Sequence, residues 1–189
     1  MKKSIILLII SIVALCIPVQ AQHLKFMGIS LNGTITQFQS KLSAKGVKYD
    51  KALSRELPAG SRAFTGTFAG EKANIFVYYD PSTKIVYRAK AAIGCDTEGL
   101  CDYKYDELKS MLSSKYMDAY EESGYQDGHE SYLYVISQDV GGDLRDLVGT
   151  IGIYVSRSDF LYPYEYYLHV DYTDYANSNK NSKSKMKDL

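Results

Sequence analysis

The strongest constraint on the fold is an internal similarity between two segments 70 residues apart. FQSKLSAKG, residues 38–46, aligns without gaps with LKSMLSSKY, residues 108–116. Both segments have helical periodicity, and Thr34, with Gln37 three residues later, predicts a capped start for the first helix. Gly46 suits a left-handed exit from that helix. The similarity predicts a duplicated unit, or else two amphipathic helices that are alike by chance.

Each predicted helix has one apolar stripe that we expect the fold to bury. In the first helix the stripe consists of Ile35, Phe38 and Leu42. The second helix is predicted to begin after Asp102 as its N-cap, and its stripe consists of Leu108, Met111 and Leu112.

Three strand-like segments follow each predicted helix. After the first helix they are SRAFTGTFAG, ANIFVYYD and KIVYRAKAAI, and after the second they are ESYLYVIS, GTIGIYVSR and EYYLHVDYT. Their alternating or continuous apolar residues, separated by turn residues, are typical of antiparallel strands. We predict an α+β fold with two tandem copies of a helix plus a three-stranded meander, residues 22–95 and 96–175, in one domain with the helices on one sheet face.

The start of the chain, MKKSIILLIISIVALCIPVQA, has the pattern of a signal peptide. Two lysines precede an apolar run that is shorter than the roughly 20 residues of a membrane-spanning helix, and a small-residue site ends at Ala21. We predict cleavage after Ala21 and a periplasmic or extracellular location. A lipid anchor on Cys16 is the alternative, although Leu15 stands where a small residue is needed.

The two cysteines beyond the leader, Cys95 and Cys101, enclose only DTEGL. In an oxidising compartment, such a pair predicts a disulfide that closes a short loop and stabilises the fold by about 2 to 3 kcal/mol. A redox or metal-binding pair is the alternative, but it would favour the Cys-x-x-Cys spacing, which the sequence lacks.

The distribution of charge is uneven, although the formal net charge is zero. Residues 22–95 contain eleven basic and four acidic side chains, residues 96–130 contain three and ten, and residues 131–175 contain two and seven. These opposite charges predict attraction within one chain, head-to-tail self-association, or steering of a charged partner. Residues 176–189 are polar and predict a disordered tail. With no basic patch interleaved with aromatics, nucleic acid is not an expected partner.

Tyrosine is abundant, with 18 residues in the chain, and YPYEYYLHVDYTDY (residues 162–175) is the densest stretch. Strand alternation assigns one set of its side chains to the core, namely Tyr166, Leu168, Val170 and Tyr172. The other face carries Glu165, Tyr167, His169 and Asp171, next to Tyr154 of the preceding strand. This face predicts a binding surface, since tyrosine gives rigid contact area, or otherwise a solvated sheet face.

Catalytic motifs are absent from the sequence, and no cofactor or metal site is predicted. His169 is the one histidine on a predicted strand, and Glu165 or Asp171 on the same face is placed to orient it as a general base. The leading hypothesis is therefore a secreted, non-enzymatic binding protein whose tyrosine-rich face contacts a protein or a glycan. The alternatives are a hydrolase centred on His169 and a self-associating structural protein.

The segment FMGISLNGTITQFQSKLSAKG, residues 26–46, resembles the opening of uncharacterised secreted proteins of anaerobic Gram-negative bacteria. Those proteins share a Phe-x-Gly-Ile start and a helix that ends in Lys-Gly, and the resemblance implies no catalytic residues. The inferred duplication also resembles, in topology, the tandem helix-and-sheet folds of secreted protease or β-lactamase inhibitors and of envelope-assembly lipoproteins.

Overall fold

The computed structural model describes residues 22–126, 128–139, 145–157 and 164–186. Within these ranges the chain forms an α+β fold with an eight-stranded antiparallel sheet, a two-stranded sheet and four helices. None of these helices is long and apolar enough to cross a membrane. The predicted signal peptide, with Cys16, lies outside the described residues, as do residues 187–189 of the predicted tail.

The elements are numbered in chain order. The strands are β1 (Lys25–Phe26), β2 (Ile29–Ser30), β3 (Lys48–Asp50), β4 (Ser61–Phe68), β5 (Glu71–Tyr79), β6 (Val86–Cys95), β7 (Tyr120–Gln126), β8 (His129–Asp139), β9 (Arg145–Arg157) and β10 (Tyr166–Asp174). The helices are α1 (Ile35–Ala44), α2 (Lys51–Glu56), α3 (Glu98–Lys115) and α4 (Tyr175–Met186).

The large sheet has the strand order β3-β4-β5-β6-β10-β9-β8-β7. It therefore consists of two antiparallel meanders, β3–β6 and β7–β10, that meet where β6 pairs with β10. The predicted count of three strands in each half is wrong, because β3 and β7 were missed. β3 is only three residues long, and every residue of β7 is exposed, so neither strand has the apolar alternation that reveals a strand in a sequence.

Helix α1 follows the sequence prediction. The Thr34 hydroxyl accepts a hydrogen bond from the Gln37 backbone N–H at 3.4 Å, and the Gln37 side chain accepts one from the Thr34 N–H at 3.0 Å, which completes a capping box. Gly46 has a φ of 81°, in the left-handed region. The buried side chains are Ile35, Phe38 and Leu42, so the predicted stripe is confirmed.

Helix α3 begins earlier than predicted, and its N-cap is Thr97 rather than Asp102. The Thr97 hydroxyl accepts a hydrogen bond from the Leu100 N–H at 3.2 Å. The sulfur atoms of Cys95 and Cys101 lie at disulfide distance, with Cα atoms 5.4 Å apart, which places the first turn of α3 at the end of β6. This start sets the orientation of the helix. Its buried residues are Cys101, Tyr105, Leu108 and Leu112, while Met111 is exposed, contrary to the prediction.

Helices α1 and α3 pack on one face of the sheet and enclose the main core. Their apolar stripes contact buried sheet residues that include Ile75, Ala91, Ile153, Leu168 and Val170. The predicted assignment of Leu168, Val170 and Tyr172 to the core face is confirmed. The short helix α2 lies on the opposite face, so the helices are not confined to one face as predicted.

The predicted disordered tail is instead helical up to Met186, as α4. Asp174 is fully buried and accepts hydrogen bonds from the Asn177 N–H at 3.1 Å and from the Leu24 N–H at 3.1 Å. The Asn177 side-chain amide donates to the Leu31 carbonyl at 2.7 Å. This polar sequence forms an ordered helix because Asp174 and the side-chain amide of Asn177 bind the N-terminal segment. Amino-acid composition alone does not reveal such contacts.

We expect Asp174→Ala to lower the free energy of unfolding by about 3 kcal/mol, because it leaves the buried N–H of Leu24 and the partly buried ring of His23 without an acceptor. Urea denaturation measures the change. Asp118→Ala, at an exposed acid, is the control and should be within about 0.5 kcal/mol of the original chain. Equal stability of the two variants would show that Asp174 does not anchor the termini.

Candidate binding face of the sheet

The face of the sheet opposite α1 and α3 carries the residues predicted to form a binding surface. In the β9–β10 register, Tyr154 lies opposite His169 and Gly152 lies opposite Asp171. Tyr167 is two residues before His169 on β10 and therefore shares its face. The structure thus brings Tyr154, Tyr167, His169 and Asp171 to one face.

Part of the first half of this face is covered. Helix α2 is capped by Asp50 and tied to β4 by Ser54, whose hydroxyl accepts from the Ala63 N–H at 2.8 Å. Leu53 and Leu57 pack against a small second core made of Ala63, Phe76, Ala92 and Tyr167. The ring of Tyr164 lies over Gly94, where a Cβ atom would come within 2.0 Å of it, so this position requires glycine.

Three of the five predicted contact residues are buried, because Asp171 is only 9% exposed and Tyr167 and His169 are less exposed still. Tyr167 is 1% exposed and His169 is 4% exposed. The His169 ring stacks on that of Tyr154, with centroids 4.8 Å apart, and lies 6.4 Å from that of Tyr167. The expected exposed tyrosine and histidine cluster is therefore an interior one, because Tyr164 and the small residues of β6 allow the rings to pack onto the sheet.

His169 has one hydrogen bond in the described chain. Its Nε2 lies 2.8 Å from the Ser156 hydroxyl, while its buried Nδ1 has no partner among the described residues. Burial, assisted by the charge of Lys90, lowers the pKa of His169 to about 3. The imidazole is neutral at physiological pH, and it packs as an aromatic ring rather than as a charged contact.

Neither predicted carboxylate orients His169. Asp171 binds Arg88, whose Nε lies 2.8 and 3.1 Å from its two oxygens, and Arg88 also lies over the ring of Tyr78. Glu165 is exposed and pairs with Arg157. The sequence did not indicate Ser156 or Arg88, because their roles depend on which strands become neighbours of β10.

Within the described residues, no helix lies over the second half of the face. The first meander enters β4 through α2, whereas in the second meander Gln126 of β7 pairs directly with His129 of β8. A concavity of about 400 Å³ remains there, which we call the sheet basin. Its lining includes Glu122, Leu133, Thr150, Tyr154 and Asp171. Tyr154 and Asp171 thus line the basin, although Asp171 is only 9% exposed, whereas Tyr167 and His169 do not line it.

The same face has a second concavity of about 440 Å³ on its first half, lined by Lys48, Lys72, Thr65 and Asn74 as well as by Tyr164 and Tyr167. Carboxylates line one half of the face and lysines line the other. The uneven charge of the sequence is therefore carried through to this surface.

In the part of the chain that the structure describes, no three His, Cys, Asp or Glu side chains lie close enough together to bind a metal ion. Comparisons with protein-family models, with curated proteins and with solved structures found no significant match.

The low pKa of His169 predicts a pH dependence of stability. The unfolded chain binds a proton at His169 near pH 6.5 and the folded chain only near pH 3, so stability is lost as pH falls through this window. The loss is about 1.4 kcal/mol for each pH unit below about 6. His169→Gln stays uncharged and should flatten this dependence between pH 6 and 4 in urea titrations. An unchanged slope in His169→Gln would contradict the assignment.

Proposed function

We propose that this protein is a secreted, non-enzymatic binding protein of the cell envelope that presents the sheet basin to a protein partner. The observation that carries the proposal is the second half of the sheet face, where no described helix lies over a concavity of about 400 Å³ lined by Glu122, Leu133, Tyr154 and Asp171. Mixed apolar and polar linings with an aromatic ring are typical of protein interfaces. The leader sequence, together with Cys95 and Cys101 at disulfide distance, supports an oxidising location outside the cytoplasm.

A protein partner is favoured over a glycan by the strand that borders the basin. β7 is an edge strand of seven residues, all of them exposed, while the other edge strand, β3, has only three. A long edge offers backbone hydrogen bonds to an extended segment of a partner. Tyr120 shares the basin face of β7 with Glu122 and is 65% exposed, so it extends the contact area beyond the basin.

The charge of this region indicates the kind of protein that would bind. Residues 96–130 contain ten acidic and three basic side chains, and β7 itself carries Glu121 and Glu122. We expect a basic surface on the partner and association that slows as salt concentration rises.

Two tyrosines on β7 offer a matched test, because they lie on opposite faces of one strand. Tyr120 faces the side of the basin, whereas Tyr125, which is 84% exposed, faces the side of α3. A photo-reactive residue in place of Glu122 would first capture and identify the partner, and Tyr120→Ser and Tyr125→Ser would then be compared with that purified partner. We expect Tyr120→Ser to weaken binding by about tenfold and Tyr125→Ser to have little effect.

Each outcome of this comparison is informative. Equal losses in both variants would assign binding to the β7 edge rather than to the basin, and no loss in either would exclude this part of the face. Capture of an oligosaccharide in place of a protein would overturn the choice of partner class.

A hydrolase is the second candidate, because the Ser156 hydroxyl and the His169 Nε2 lie at the distance of a nucleophile and its base. The non-enzymatic assignment is supported by the ion pairs of Asp171 and Glu165 with arginines, which leave His169 without a carboxylate partner in the described chain. We therefore expect no labelling of the protein by a fluorophosphonate serine probe. Labelling that disappears in Ser156→Ala but persists in Ser131→Ala would instead establish the hydrolase.

We also propose that the two halves of the sheet are copies of one unit, as the similarity of residues 38–46 and 108–116 suggests. The proposal is supported by the order of elements, since α1 precedes β3–β6 and α3 precedes β7–β10. The Arg88–Asp171 pair joins a basic residue of the first half to an acidic residue of the second within one chain. This contact favours internal attraction of the two halves over head-to-tail self-association.

A further inference from the structure

A second surface, on the helix side of the sheet, is independent of the sheet basin. Here a groove of about 400 Å³ lies between α3 and two tight turns, the one that joins β1 to β2 and the one that joins β4 to β5. We call it the helix-side groove. Its lining is largely apolar and includes Met27, Phe68, Leu108, Met111 and Tyr172. Ligand pockets commonly have volumes of about 300 to 1,000 Å³, and most have apolar walls.

The two turns at the groove have unusual residues for their backbone shape. Met27 has a φ of 52° and Ala69 a φ of 50°, and each precedes a glycine that also has positive φ. Turns with two left-handed residues favour Asn or Asp in the first position, and an apolar side chain there is strained. These are two of the three non-glycine residues with positive φ in the described chain, and both line the groove. Met27 and Ala69 therefore add apolar side chains to the groove although their backbone conformation is unfavourable for them.

The floor of the groove is uncharged. Phe68 and Val170 are buried, and Tyr172 is 4% exposed. At the open side, Met111 is 54% exposed although it extends the apolar lining. Methionine is flexible and polarisable, and it adapts well to an irregular hydrocarbon chain.

The rim of the groove is cationic. Lys115 lines the groove, and the Lys45 ammonium lies 4.0 Å from the position that a Cβ atom would take at Gly28, another lining residue. Both lysines are exposed, and no carboxylate is among the lining residues. An apolar floor with positive charge at its edge complements a molecule that has one hydrocarbon chain and one anionic end.

We infer that the helix-side groove binds a single-chain anionic amphiphile of the fatty-acid type. The hydrocarbon chain lies against Met27, Met111 and Tyr172, and the carboxylate lies at the rim beside Lys115 and Lys45. This site is on the opposite side of the sheet from the sheet basin, so the inference does not depend on the proposed protein partner.

The test is calorimetric titration of the purified protein with dodecanoate, below the concentration at which it forms micelles. Dodecanol and dodecyltrimethylammonium have the same chain with a neutral and a cationic end. We expect dodecanoate to bind about tenfold more tightly than either analogue. No binding of dodecanoate, or equal affinity for all three molecules, would overturn the inference.

Three variants localise the site. Met111→Glu places a carboxylate on the exposed lining and should weaken dodecanoate binding by more than about tenfold without unfolding the protein. Lys115→Gln should weaken dodecanoate binding by about threefold and leave dodecanol binding unchanged. Lys72→Gln, on the other face of the sheet, is the control and should bind as the original chain does. Equal binding by Met111→Glu, or a concentration-dependent dimer that Met111→Glu abolishes, would show that the groove has another occupant.

Discussion

The antiparallel pairing of β6 with β10 is the interaction on which the rest of the structure depends. It joins the last strands of the two meanders into one sheet, and its register places Tyr167 opposite Gly94 and His169 opposite Ala92. The small residues on β6 leave space above the sheet, and Tyr164 fills it. Because of this register, Tyr167 of β10 packs into a second small core and does not lie on an exposed surface.

The difference between the two halves decides which surface is open. In the first half, α2 is inserted between β3 and β4 and covers part of the sheet, whereas in the second half β7 pairs directly with β8. The surface over which no described helix lies is therefore in the acidic half, beside a fully exposed edge strand. The helix-side groove lies behind the sheet, formed by α3 and two turns. The described chain thus has two polar concavities on one side of the sheet and an apolar groove on the other.

Sequence patterns correctly predicted those elements that are stabilised by residues near one another in the chain. The Thr34 capping box, the Cys95–Cys101 pair and the alternation in the six long strands all depend on residues close together in the sequence. The elements that were missed depend on distant partners. β7 is exposed on both faces and exists only because β8 pairs with it, and α4 is polar but is held by Asn177 and Asp174 against the N-terminal segment.

For the candidate site, the sequence by itself determined that Tyr154, Tyr167, His169 and Asp171 share one face, because successive side chains of a strand alternate between its two sides. Only the tertiary structure decided which of them reach solvent. Exposure depends on what lies above the sheet, and that is set by long-range contacts of Tyr164 and α2. His169 is buried beside Ser156 and the ring of Tyr154, whereas Tyr154 and Asp171 line the basin, since side-chain direction is a local property and burial is a property of the whole fold.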